Sequence, residues 1–195
     1  MAGPYVITTP VQGQPIPSVG FGQAVKNAIN DLDSRALALE TGSQSFIKRG
    51  RRNTSTGNVT TTETGILRID NVPVRAGSIY QISTGELNLD TDVVGTIGTA
   101  KARAFYQATT GGVCTVANGT QFGLFRAYQD DATQSNVGNL SCVYIATADG
   151  YISVLLTIVR QGGTGNVVAF ASSGEPLDLF IQYGGSDPGD TGVVL

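Results

Sequence analysis

The sequence predicts a mainly β protein: an extended N-terminal arm and a short helix lead into an antiparallel, jelly-roll-like β-sandwich. Three observations predict it. Gly (26), Thr (22) and Ser (13) supply 61 of 195 residues, the composition of short strands joined by turns. From Ile66 onward apolar and polar residues alternate with a period of two, the signature of strands with one face inward. Gly-rich turn signals separate those runs, and hydrophobic residues still make up 41% of the chain, too many for a disordered polymer.

Residues 1–20 read as an arm, because Pro4, Pro10, Pro15 and Pro17 fix φ and push their predecessors toward extended geometry. Tyr5, Val6, Ile7, Val11, Ile16 and Val19 make that arm apolar, so it is expected to lie along a partner. Residues 21–42 read as the one helix. Val25, Ile29, Leu32, Ala36 and Leu39 recur at intervals of 4, 3, 4 and 3, the spacing of a coiled-coil seam, with Gly42 as a stop. An amphipathic helix packed on its own domain would show the same spacing over two heptads. The absence of surrounding apolar sequence favours the coiled coil, and a helix this short needs help from the domain C-terminal to it.

Residues 43–64 read as a basic and polar linker containing Lys48-Arg49-Gly50-Arg51-Arg52. Residues 65–195 read as the sandwich. Ile152, Val154, Leu156 and Ile158 line one face of a strand; Leu177, Leu179, Ile181 and Tyr183 line another; Lys101, Arg103, Phe105 and Gln107 alternate with Ala102, Ala104, Tyr106 and Ala108. Asp149-Gly150 is the expected hairpin turn before Tyr151, Asn118-Gly119 is a second such signal, and Gln161–Gly165 is a longer turn.

Charge is uneven. Residues 1–55 carry a net +3 and residues 56–195 a net −6, which sum to −3 and suggest a basic anchor on an acidic domain. Without any His, Ser–His and Cys–His nucleophilic pairs, imidazole acid–base catalysis and His metal sites are excluded. The acidic balance disfavours nucleic acid, so Lys48, Arg49, Arg51 and Arg52 are read as docking charges for an acidic protein surface or as a solvated hinge. No signal peptide or 20-residue apolar span is visible, and a soluble chain made in the cytosol is expected, with no membrane partner. Cys114 and Cys142 read as buried free thiols, with a disulfide as the alternative.

Carboxylates occur in pairs at Asp31/Asp33, Asp90/Asp92, Asp130/Asp131 and Asp187/Asp190, but among turn residues or on the helix's polar face, where Asp caps or solvates. No EF-hand loop surrounds Asp90-Thr91-Asp92, and Gln161–Gly165 lacks the Gly-Lys-Ser/Thr ending of a phosphate loop. The sequons at Asn53, Asn58, Asn118 and Asn139 have no secretory route to use them. No enzyme, cofactor or metal site is expected.

The proline-broken arm ends in Pro17-Ser-Val-Gly-Phe-Gly-Gln-Ala-Val-Lys-Asn-Ala-Ile-Asn-Asp-Leu-Asp-Ser-Arg35 and leads into Leu37-Ala-Leu-Glu40. With Gly150-Tyr-Ile-Ser-Val-Leu-Leu-Thr-Ile-Val-Arg160 and Asp187-Pro-Gly-Asp-Thr-Gly-Val-Val-Leu195, this resembles small virion proteins of tailed bacteriophages, especially phages of actinobacteria. The resemblance implies a homotrimer with a particle-binding arm, a three-stranded coiled coil and an outward sandwich, and no catalytic residues. The expectation is a capsid decoration (cement) or minor capsid protein on the outer capsid surface of the virion, made in the host bacterial cytoplasm. Its partners would be the major capsid protein and its own copies. The alternative is a short head or tail fibre whose sandwich binds a host-surface glycan, with Tyr106, Tyr128 or Tyr183 stacking on sugars. A carboxylate-based depolymerase is the third and weakest reading.

Overall fold

The computed structural model describes residues 48–128 and 136–186. The arm, the 21–42 segment with Val25, Ile29, Leu32, Ala36 and Leu39, and any trimer contact they make lie outside the described residues. The described part is mainly β and antiparallel. Its strands are β1 (Lys48–Arg52), β2 (Thr64–Val74), β3 (Ser78–Thr84), β4 (Leu87–Thr91), β5 (Ile97–Gln107), β6 (Thr120–Tyr128), β7 (Asn136–Gly138), β8 (Ser141–Ala146), β9 (Gly150–Gly162), β10 (Val167–Phe170) and β11 (Leu177–Ser186).

Three ladders run β1-β11-β3-β8, β10-β4-β7 and β2-β9-β5-β6. The first two are one bent sheet. β3 passes into β4 through Gly85-Glu86, and β7 into β8 through Asn139-Leu140. Backbone bonds from Thr84 N to Leu140 O (2.8 Å) and from Gly85 N to Asp178 O (3.0 Å) carry the ladder across the bend. β1 is prolonged by Thr56, which donates to Ala169 O, and by Val59, which bridges Val167. Joined this way, two four-stranded sheets take the orders β1–β10/β11–β3/β4–β7/β8 and β2–β9–β5–β6. That is the winding of a jelly roll.

The core lies between the sheets. Ile82 and Leu89 come from one, Ile152, Val154, Leu156 and Ile158 from the other, all fully buried, with Leu179 and Ile181. Burying each such side chain contributes about 1.5–3 kcal/mol. Ile152, Val154, Leu156, Ile158, Leu179 and Ile181 are residues the alternation predicted on one face, because a period of two places them together wherever the partner sheet lies; Ile82 and Leu89 join them in the structure.

Four local expectations differ from the structure. The basic stretch expected within the 43–64 linker is strand β1, paired with β11 from Lys48↔Ile181 to Arg52↔Leu177, so the sandwich as described begins at Lys48 rather than 65. Strand form tolerates four cations here because alternation splits them between the two faces. Arg49 and Arg51 point outward, while Gly50 leaves room for Ile69, whose Cγ1 would stand 3.0 Å from an added Cβ. Asp149-Gly150 joins β8 and β9, which belong to different sheets, so it is a crossover between layers and not a hairpin. Asn118-Gly119 does lie between paired strands, but at the end of a longer β5–β6 connection that also holds Cys114. Finally, β9 is buried on both faces from Ile152 to Val159, because the segment before β2 and the β5–β6 connection cover its outer side.

One conformational detail fixes β2. Asn71 adopts φ 55° at the irregularity between Ile69 and Val72, a left-handed position that Asn tolerates better than most residues. Its Oδ1 accepts from Gly111 N (3.0 Å) and Gln107 Nε2 (3.1 Å), which ties β2 to the end of β5.

Candidate functional site

Two clusters, each one carboxylate between two cations, dominate the polar chemistry. The first lies on the outer side of the β2–β9–β5–β6 sheet. Glu63 arrives just before β2 and meets Lys101 and Arg103, two outward positions of β5, and Thr157 of β9. Arg103 donates from Nε to Oε1 (2.6 Å) and from Nη2 to Oε2 (2.8 Å); Lys101 Nζ donates to Oε2 (2.9 Å) and Thr157 Oγ1 to Oε1 (2.6 Å). Side-chain exposure is only 11% for Glu63, 15% for Lys101 and 16% for Arg103. The Arg103 hydrogen bonds hold the Glu63 carboxyl at about 2, against the opposing pull of burial. A carboxylate locked in this way cannot act as a proton donor near neutral pH. Its role is to fasten the approach to β2 across the sheet.

The second cluster lies on the outer side of the bent sheet. Asp178 of β11 receives Arg49 Nε and Nη2 (2.9 and 2.6 Å) and Arg51 Nε and Nη2 (2.8 and 3.0 Å), so both guanidinium groups bind it side-on. Arg49 and Arg51 remain 37% and 44% exposed, while Asp178 is 10% exposed. Arg49 also sits over the Phe180 ring, 5.5 Å from its centroid. The other two cations of the motif turn to backbone oxygens. Lys48 Nζ donates to Asp70 O (2.7 Å) and Asn71 O (3.0 Å), and Arg52 donates to Thr54 O (2.7 Å), Ser55 O (3.1 Å) and Ile66 O (3.1 Å). All four candidate docking charges are thus engaged within the sandwich. Arg49 and Arg51 still present part of their surface to solvent.

Beside Arg51 lies an open groove of about 690 Å³. It exists because the strands lose register there. Between the pairs Phe170↔Asn88 and Leu179↔Thr84, one side of the ladder spans 85–87 and the other spans 171–178. The surplus leaves the sheet as a loop closed by Ser172 N to Glu175 O (2.9 Å) and Glu175 N to Ser172 Oγ (3.0 Å). Ser55 secures its base, accepting from Ala171 N (3.2 Å) and donating to Ala171 O (3.3 Å). Phe170, Asn88, Arg51, Glu86 and Glu175 line the groove. Phe170 is 43% exposed, and the Oδ1 of Asn88 is buried without a hydrogen-bond donor among the described residues.

The tyrosines singled out for sugar contact fare differently. Tyr128 is exposed; Tyr106 is partly so and donates from its hydroxyl to Asp149 O (2.7 Å); Tyr183 packs edge-on against Tyr80 with centroids 5.8 Å apart. Asp92 is occupied by Asn166, through backbone N (2.6 Å) and Nδ2 (2.7 Å); the pairs 31/33, 130/131 and 187/190 lie outside the described residues. Cys114 and Cys142 are free, and burial raises their thiols to about 11 and about 12. Among the described residues no group of acidic, Cys or His side chains is placed to hold a metal, and no helix is long and apolar enough to cross a membrane.

Neither Glu63 nor the groove is apparent from the sequence. Glu63 is a single acid in a Thr-rich run. Its one signal is Lys101 and Arg103, two cations on one side of a strand, which call for an anion. The groove's signal is Ser172-Ser-Gly-Glu-Pro176, a turn-rich break within one strand.

No family model and no curated protein matches the chain. Among solved structures, similarity extends to an arabinose-bound GH51 α-L-arabinofuranosidase (15% identity, TM-score 0.35, 67% of this chain and 19% of that one). It extends also to the CBM22-1–GH10 modules of Clostridium thermocellum xylanase 10B with xylohexaose (11%, 0.37, 72% and 29%). A third is the VP2 subviral particle of infectious bursal disease virus (12%, 0.35, 71% and 38%). The chain spans well under half the length of each, and likenesses of this size identify no family.

Proposed function

We propose that the chain is a structural protein of a tailed-phage particle, a capsid decoration or minor capsid protein. Residues 1–20 bind the outer capsid surface and the major capsid protein, residues 21–42 join copies into a homotrimer, and the sandwich projects. The observation that supports this reading is the layout. A β-sandwich whose first described strand is Lys48–Arg52 follows, in sequence, the proline-broken apolar arm and the heptad-spaced segment. In such a layout an apolar arm contributes roughly 25 cal/mol per Å² of apolar surface it buries on the shell. Linking three arms turns weak attachments into one avid attachment. Glu63 and Asp178 fit a non-catalytic role, since each is saturated by cations that hold strands together.

The test is deletion of residues 2–20. The truncated protein is expected to keep its β-sheet circular dichroism and its oligomeric mass while losing binding to particles depleted of the full-length protein. Normal occupancy by the truncated form would overturn the arm's role.

The groove beside Phe170 favours a second reading, a short head or tail fibre whose sandwich binds a glycan on the host surface. Copy number per virion separates the two: hundreds for a decoration protein, a handful for a fibre.

A further inference from the structure

We infer that the groove between β10 and β11 is a binding site for a neutral saccharide. The inference rests on the glycan-binding reading of the sandwich and does not depend on where the arm attaches. Its volume of about 690 Å³ lies within the range of about 300–1,000 Å³ for small-molecule sites.

The lining has the two chemistries a pyranose needs. Phe170 offers an exposed aromatic face to the apolar C–H side of a sugar ring. Hydrogen-bonding groups surround it for the hydroxyls. Asn88, opposite Phe170 in the β4–β10 ladder, lines the same groove. Glu86 and Glu175 are exposed at the groove and can accept from neighbouring hydroxyls.

Charge selects among saccharides. Arg51, the cation lining the groove, is committed to Asp178 on two of its nitrogens, and that carboxylate is shared with Arg49. Among the described residues Glu86 and Glu175 have no such cation partner, so uronic and sialic acids are repelled and neutral sugars admitted. The site is also built in advance. The Ser172–Glu175 closure and the Ser55 bonds to Ala171 fix the rim, so little ordering cost falls on binding.

The test titrates the full chain with neutral hexose and pentose oligosaccharides, beside matched uronic-acid-containing and sialylated ones, monitored by calorimetry and by amide shifts in NMR. At least one neutral oligosaccharide is expected to bind and to shift resonances of 170–176. Phe170→Ala is expected to weaken that binding about tenfold, the scale of one lost aromatic contact. Glu175→Gln should reduce the discrimination against acidic sugars, and Val113→Ala, an exposed position away from the groove, should change neither. Phe170 and Glu175 are exposed, so unchanged melting temperatures confirm that the variants fold. Failure of every neutral member to bind, binding undiminished in Phe170→Ala, or preference for acidic sugars would each overturn the site. Loss of particle attachment on arm deletion is read separately, so either proposal can fail while the other stands.

Discussion

The Glu63 and Asp178 clusters contain the same parts, one carboxylate receiving two cations with both oxygens, yet they do different things. Around Glu63 all the partners are nearly covered, and the Thr157 hydroxyl completes the set. Around Asp178 the carboxylate is covered, but both arginines keep more than a third of their surface in water. Depth makes the difference. Where the cations cannot rehydrate, losing the anion strands them, and the cluster acts as a fastener. Where they can, the cluster joins an edge strand to its neighbour and leaves a charged border beside a groove.

The largest expected effect therefore comes from Glu63→Gln, which leaves Lys101 and Arg103 facing each other without an anion. Destabilisation of about 3 kcal/mol is expected, read from the urea midpoint at neutral pH. A loss no larger than that of an exposed ion pair would break the contrast.

A pH series sharpens the same point. The folded carboxyl of Glu63, at about 2, lies below its ordinary value of 4.5, so its contribution to stability is fully present above the ordinary value. It fades as the pH falls through 4.5 toward 2. The stability gap between the native protein and Glu63→Gln should be constant above about pH 5 and close progressively below it. A gap that persists unchanged at about pH 2 would show that the side chain acts through packing and not through charge.

The smallest effect is expected from Asp178→Asn. Arg49 keeps its stack on Phe180, both arginines regain water, and the amide oxygen still accepts, so about 1 kcal/mol is expected from the same denaturation measurement. A cost equal to that of Glu63→Gln would mean that exposure does not distinguish the clusters.

The parts legible in the sequence were those set by local periodicity. The alternation of Leu177, Leu179 and Ile181, and of Ile152 through Ile158, named the core directly. β1 was illegible because four cations in five residues look like a solvated hinge. Only Asp178, 127 and 129 residues away from Arg51 and Arg49, and the carbonyls of β2 make them a strand. The Asp149-Gly150 turn carried the right local signal but the wrong partner, since a turn dipeptide says that the chain reverses and not which sheet receives it. The burial of Ser153, Leu155, Thr157 and Val159 is not legible from their own mix of polar and apolar residues, because their cover comes from segments remote in sequence.

By itself the sequence determined that the chain is β-rich, which strand faces turn inward, and that imidazole chemistry is absent. These depend on composition and on a two-residue period that needs no partner to be read. The tertiary structure decided that three ladders form two sheets, that Glu63 and Asp178 gather their cations, and that a register break between β10 and β11 opens a groove. Each is a meeting of residues far apart along the chain, fixed by how the strands pair and which sheet each one joins.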